Sequence, residues 1–224
     1  MFKKLNSRVT VLMPVFNAEA FLKESIESVL CQSYRDFTFL IINDGSTDST
    51  NKIIEYYLDD SRIELISLPI NMGLVHCLNM GLEKINSEYI VRMDADDVCH
   101  PDRLKILIEF MDLNPSISIS GSEVISIDGF FLDIKKSFIQ IFDYRKINTI
   151  SFFNCPILHP TVIIRTSFLK RNNLKYNSNY LHAEDNALWL DSILFGYLCV
   201  INMPLLKYRK HIKQISNQFL EIQQ

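Results

Sequence analysis

With 224 residues, 48% of them hydrophobic and 22% charged, the chain has enough apolar side chain for one sizeable core and reads as an ordinary soluble globular protein. A formal net charge of −3 with evenly scattered Lys and Arg leaves no basic stripe for phosphate contacts, so nucleic acid is excluded as the main partner. Cys31, Cys77, Cys99, Cys155 and Cys199 are odd in number and unrelated in spacing, and read as reduced, mostly buried thiols of an intracellular protein rather than a disulfide framework or a metal cluster.

The opening MFKKLNSRVTVLMPVF carries two lysines, but Pro14 interrupts its apolar run and no A-x-A site follows, so residues 8–16 predict a first strand and not a signal peptide. Residues 18–30 (AEAFLKESIESVL) then place apolar side chains three and four apart, as a helix does. Strands are expected at 37–43 (FTFLIIN), 62–68 (RIELISL) and 88–93 (EYIVRM), because continuous rather than alternating hydrophobicity suits a strand covered on both faces. Helical spacing returns at 46–58, with Ser46, Thr47 and Asp48 as N-cap candidates, and at 73–85; Pro101 suits the first turn of a further helix. This βαβαβαβα order predicts an open, mostly parallel α/β sheet flanked by helices. The second half is less regular: a strand near 117–126, a hairpin around Asp128-Gly129, strands near 160–165 and 197–203, and a helix near 183–195. Residues 187–206 approach the apolar length of a membrane span, but Asp191 near the middle and Gly196 before Val200 and Ile201 divide them into a buried helix and a strand. One domain is expected, with a nucleotide-binding half at 1–98, an acceptor-side half at 99–216 and a tail at 217–224 that leaves no room for a further domain.

The unusual polar residues fall at predicted strand ends, where open parallel sheets bind ligands. Pro14-Val15-Phe16-Asn17 closes the first strand, Asn43-Asp44-Gly45-Ser46 the second, and Asp94-Ala95-Asp96-Asp97 the fourth. Three carboxylates within four positions raise one another's pKa unless a cation or donors compensate, which points to a positive partner. None of the six glycines builds a glycine-rich phosphate cradle, so a nucleotide bound here needs another neutralising group; Mg²⁺ or Mn²⁺ on Asp96 would serve. Taken singly, each signal has a plain reading. NDGS is a common turn, DADD can be a solvated strand end that caps a helix, Glu184-Asp185 suits a first helical turn, and His211 sits among surface cations.

Together, PVFN (14–17), NDGSTDST (43–50), NMGL (71–74), MDADD (93–97), AEDNALW (183–189) and YRKHIKQIS (208–216) resemble, in order and spacing, the family 2 glycosyltransferases of the GT-A fold. The resemblance covers about residues 8–216 and implies a Rossmann-like sheet, a nucleotide-sugar donor, most often a UDP-sugar, and inverting transfer to a saccharide or lipid-linked acceptor. Carried over by position, Pro14 and Phe16 line the base pocket, with Asn17, Asn71 and Gly73 in the same donor-binding set. Asp44 accepts from the uracil ring, Asp94 lies against the ribose, Asp96 binds the metal and His211 joins it. Arg209 and Ser216 reach the pyrophosphate, and Asp185 matches the general base. Phe16 stands where Tyr is commoner, and Asp191-Ser192 where many relatives carry Arg.

The chemistry agrees with these roles, since a sugar hydroxyl needs a carboxylate to take its proton and a leaving diphosphate needs positive charge. Two rivals are weighed. A haloacid-dehalogenase-like phosphatase would share an apolar strand followed by D-x-D, but wants it on an early strand and leaves NDGS and YRKHIKQIS without a role. A non-catalytic subunit of the same fold would be favoured by a lost carboxylate, yet all are present. His159-Pro160-Thr161 reads equally as an approach to the acceptor or as a strand start. The expected setting is the cytoplasm, in surface polysaccharide or glycolipid synthesis, compatible with peripheral contact at the inner face of the membrane.

Overall fold

A computed structural model describes residues 7–127 and 157–211. The expected Asp128-Gly129 hairpin, Cys155, Ser216 and the 217–224 tail lie outside the described residues. The centre is β1 (Val9–Val15), every residue of which is buried. It pairs in parallel with β2 (Phe37–Asn43) on one side and β4 (Tyr89–Arg92) on the other, and β2 pairs in parallel with β3 (Ile63–Ser67). Beyond β4 the sheet becomes mixed. β7 (Ile163–Arg165) runs antiparallel to both β4 and β6 (Ile117–Ser126), while β8 (Tyr197–Tyr208) is parallel to β6. The short β5 (Val98–Cys99) closes the edge against β8, giving the order β3-β2-β1-β4-β7-β6-β8-β5.

Both faces of this sheet are covered, which is why its central strands read as unbroken apolar runs. Val9, Val11, Met13 and Val15 of β1 and Phe37, Phe39 and Ile41 of β2 point to one core. There they meet α1 (Leu22–Leu30) through Leu22, Ile26 and Val29 and α4 (Arg103–Leu113) through Leu104, Leu107 and Met111. The alternate residues Leu12, Leu40 and Ile42 point to a second core, as the two-residue period of a strand requires. Its helical partners are α3 (Leu74–Lys84), α5 (Thr166–Arg171) and α6 (Glu184–Ser192), with Trp189 of α6 fully buried. The apolar stretch 187–206 is thus the end of α6 plus β8, and no described helix is long and apolar enough to cross a membrane.

Three details differ from the sequence reading. The helix α2 (Thr50–Glu55) starts later than expected, with Ser49 at its N-cap. Asp48 instead accepts from the backbone N–H groups of Thr50 and Glu19, at 2.9 and 3.2 Å, tying the loop after β2 to the loop after β1. Pro101 precedes the Asp102 N-cap of α4 rather than lying in its first turn, because the Asp102 N–H is taken by the His100 ring at 3.0 Å. And β8 continues past Pro204 to Tyr208: its pairing with β6 jumps from Ser122–Ile201 to Glu123–Pro204, a bulge that accommodates a residue lacking an N–H. That extension brings Arg209 against the turn that follows β4, where it meets Asp96 and Asp97.

Candidate active site

The registers place the carboxyl ends of the first strands side by side: Val15 lies opposite Asn43, and Asn43 opposite Ser67. After β2, Asn43 Oδ1 accepts from the Ser46 N–H at 3.1 Å, closing the turn that sequence composition suggests. Asn17, in a left-handed conformation with φ of 46°, fastens this turn: its N–H donates to Ser46 Oγ at 3.0 Å and its Oδ1 accepts from the Thr47 N–H at 2.9 Å. Asp44 is buried, and its two carboxylate oxygens accept from the N–H groups of Met72 and Gly73, at 2.7 and 2.9 Å. Residue 45 must be glycine for two reasons. Its φ is +66°, and a Cβ would come 2.7 Å from Asn71 N. Phe16, Asn17, Asp44, Asn71 and Gly73 therefore belong to one cluster of loops, beside which Phe16, Ile70 and Met72 keep exposed apolar side chains, while Pro14 is buried within β1 opposite Ile42. Ile70 and Met72 were not anticipated, since Ile70 lies outside NMGL and Met72 carries no chemical signal within it.

The acidic turn follows β4. One ligand oxygen each from Asp94, Asp96 and Asp97 lie within 4.8 Å of one another. Asp97 is fully buried. Its Oδ1 accepts from the Arg209 N–H at 2.9 Å, and its Oδ2 has no partner among the described residues. Burial, then the Asp94 and Asp96 charges, push the Asp97 carboxyl up to about 8. Asp96 is raised too, by burial and Asp94, with the His211 hydrogen bond opposing. Carboxylates that hold protons so strongly, with a buried oxygen left over, fit a site for a hard divalent cation, whose charge would replace the protons.

The last described residues complete this side. His211 Nε2 lies 2.9 Å from Asp96 Oδ2, joining the two positions expected at the metal. Arg209 lies on the same side: its Nε donates to the Asp96 carbonyl at 2.7 Å, its Nη2 pairs with Glu24, and its guanidinium lies 4.4 Å from the Phe21 ring centroid. It holds the acidic turn against α1. Glu24 and Phe21 carried no motif and were missed, because 185 positions or more of sequence separate them from residue 209.

Glu184 and Asp185 open α6, and Asp185 is partly exposed where Glu184 is buried. Asp185 Oδ1 accepts from the Asn186 N–H at 2.7 Å, yet burial lifts its carboxyl to about 6, well placed for a base working near neutral pH. Arg92, at the end of β4, bonds Asp94 and acts electrostatically on Glu184 and Asp185, so the acidic turn and the α6 pair share one field. His159 is packed inside: it meets the Tyr176 hydroxyl at 2.8 Å and the Trp189 ring edge-on, and burial takes its pKa well below the ordinary value. Of the two readings of residues 159–161, the described contacts show a buried 3-10 turn leading into β7.

Comparison with known proteins completes the picture. The description "Glycosyl transferase family 2" matches residues 10–175. An uncharacterized glycosyltransferase of Haemophilus influenzae is 33% identical over 222 residues, covering 94% of this chain and 68% of the relative. Among solved structures, Staphylococcus aureus TarS in complex with UDP-GlcNAc superposes with a TM-score of 0.77 at 22% identity, over 96% of this chain and 64% of that one. A mannosyltransferase from Pyrobaculum calidifontis with GDP-Man and Mn²⁺ superposes with a TM-score of 0.70 at 17% identity, over 97% of this chain and 60% of that one. The chain thus spans less than two thirds of those two structures, and the likeness to them is one of fold. The phosphatase alternative finds no support among these matches. On the sheet, the matched residues and the relative in H. influenzae, the chain belongs to glycosyltransferase family 2 and has the GT-A fold.

Proposed function

We propose that this glycosyltransferase moves a hexosyl or N-acetylhexosaminyl group from a nucleotide-sugar, most naturally a UDP-sugar, to a hydroxyl of a saccharide or lipid-linked saccharide with inversion. The observation that carries this reading is the acidic turn after β4, where Asp94, Asp96 and Asp97 bring ligand oxygens within 4.8 Å of one another and His211 Nε2 meets Asp96, with Asp185 at the start of α6 as the base candidate. It is supported by the nucleotide-sugars held by the TarS and mannosyltransferase structures. Asp96 and His211, with Asp94 and Asp97 beside them, would hold Mn²⁺ or Mg²⁺, which when bound supplies positive charge for a diphosphate. Phe16 and Met72 are exposed beside the Asp44 loops, a suitable surface for a base to lie on.

Inverting displacement needs one base and no enzyme nucleophile. The acceptor hydroxyl oxygen bonds to the anomeric carbon while its proton passes to the Asp185 carboxylate. The bond from that carbon to the diphosphate oxygen breaks, and its electron pair leaves with the nucleoside diphosphate. Arg209 keeps the acidic turn in place on the leaving-group side. A lipid-linked acceptor would bring the enzyme to the cytoplasmic face of a membrane, in surface polysaccharide or glycolipid synthesis. A thermal-shift panel of UDP-, GDP- and dTDP-sugars with and without Mn²⁺ tests the reading. One nucleotide should stabilise the protein in a Mn²⁺-dependent manner, and silence across the whole panel would refute it.

A further inference from the structure

Arg103 opens α4 with its side chain fully buried, and it forms no ion pair among the described residues. A buried cation costs free energy unless its partners compensate, and an apolar side chain of like volume often serves stability as well or better, so what this one holds matters. Two of its nitrogens are engaged. Nη2 donates to Arg92 O at 2.8 Å and to Pro160 O at 2.6 Å, while Nη1 meets Met93 Sδ at 3.3 Å and Cys99 Sγ at 3.2 Å, two sulfurs that are themselves 3.3 Å apart. Residues 92 and 93 lead into the acidic turn and residue 99 follows it. One side chain therefore grips both ends of Asp94-Ala95-Asp96-Asp97. Its bond to Pro160 joins them to the turn at 157–161, which Trp189 of α6 holds by donating to Ile157 O at 3.2 Å.

We propose that Arg103 is a positioning residue that sets the acidic turn in its cation-binding shape before a cation arrives. This rests on the function proposed above. Three carboxylates whose oxygens lie within 4.8 Å of one another repel, and a turn held only by its own backbone would open until a cation drew it together. A turn clasped at both ends keeps its ligand oxygens in place, so binding spends less on ordering and on gathering like charges. Arg209 holds the middle of the turn, bonding the Asp96 carbonyl and the Asp97 carboxylate, and the ends fall to Arg103. A purely architectural role, seating α4 on the sheet, is already served by Leu104, Leu107 and Met111. The two roles are separable: seating α4 predicts lost stability alone, while setting the turn predicts lost cation affinity beyond what stability explains.

Arg103→Lys keeps the charge, but a point ammonium cannot serve two carbonyls and two sulfurs at once. Its Mn²⁺ affinity in the presence of UDP, read by EPR, should fall about tenfold or more, whereas Leu107→Ala, on the same helix, should lower Tm at least as much and bind Mn²⁺ as the wild type does. Wild-type Mn²⁺ affinity in Arg103→Lys, or an equal loss in Leu107→Ala, would overturn the proposal. If Arg103→Lys does not fold, Met93→Leu with Cys99→Ala strips both Nη1 partners and takes its place; a several-fold loss is expected, and none would overturn the proposal. Amide exchange in the metal-free protein reads the turn directly. The Cys99 and Arg209 N–H groups, which donate to Ser28 Oγ at 3.1 Å and Asp97 Oδ1 at 2.9 Å, should exchange about tenfold faster or more in Arg103→Lys, and unchanged rates would sink the claim that the turn is preset. Should the wild-type protein bind no Mn²⁺ with UDP, the function proposed above fails, while the exchange rates still decide whether Arg103 sets the turn.

Discussion

Asp185 shows how much one residue's surroundings decide. A free aspartate is ionised throughout the physiological range, but burial lifts this one to about 6, so transfer at saturating donor should climb as pH rises through that value and level off above it. A pH–rate profile flat from 5 to 8 would contradict the base assignment. Asp185→Asn should lower turnover by about 10² or more while UDP affinity stays nearly unchanged, since it takes away the proton acceptor and little else. The same variant should be more stable at neutral pH. The raised pKa means that the folded state keeps a proton the unfolded state has released, so stability is lost between the unfolded value and about 6 and stays lost above it. Removing the charge restores about 1–3 kcal/mol, visible as a higher Tm at pH 7.5. Asp96→Asn should act elsewhere, weakening Mn²⁺-dependent UDP binding about tenfold or more in calorimetry. The carboxylates were legible in the sequence because clustered charges after an apolar run are conspicuous. Arg92 was not, since in YIVRM it reads as the polar end of a strand.

At the scale of elements, the loops after β2 and β3 work as a pair. Asp44 binds the backbone of residues 72 and 73 and so fixes the entrance of α3, whose N-cap Gly73 has φ of 92°. Gly45→Ala should cost at least ~1–2 kcal/mol from its positive φ, with more from the approach of the 70–71 backbone, and the lost stability should appear in urea melts together with weaker UDP binding. A variant with wild-type stability would show that the two loops are not held together. Strands and helices of the first half matched their sequence patterns within a few residues, because two-sided burial writes apolar runs and one-sided burial writes helical spacing. The N-terminus of α2 did not, since side chains suited to capping were used to join loops. The length of β8 was also hidden: Pro204 reads as a terminator, and only a partner strand ready to bulge lets the pairing continue.

For the molecule as a whole, the sheet is a platform packed between two buried cores. Trp189 is fully buried and braces the turn at 157–161, so Trp189→Ala should destabilise by ~3–5 kcal/mol and lower activity with it. Ligation should act in the opposite direction. UDP with Mn²⁺ at about 100 times its Kd should add ~2.7 kcal/mol, and EDTA should reverse that gain; a gain untouched by the chelator would argue against a bound cation. The amino-acid order alone determined the alternation of strands and helices, the acidic turn, the base candidate and the family, because these rest on local periodicity and on motifs short enough to be read along the chain. Only the tertiary structure decided that Arg209 braces the acidic turn through Glu24 and Phe21, that His211 reaches Asp96, and that Arg92 is buried against Asp94. Those pairings cross up to 185 positions, and electrostatic and packing forces depend on distance in space, which sequence separation does not measure.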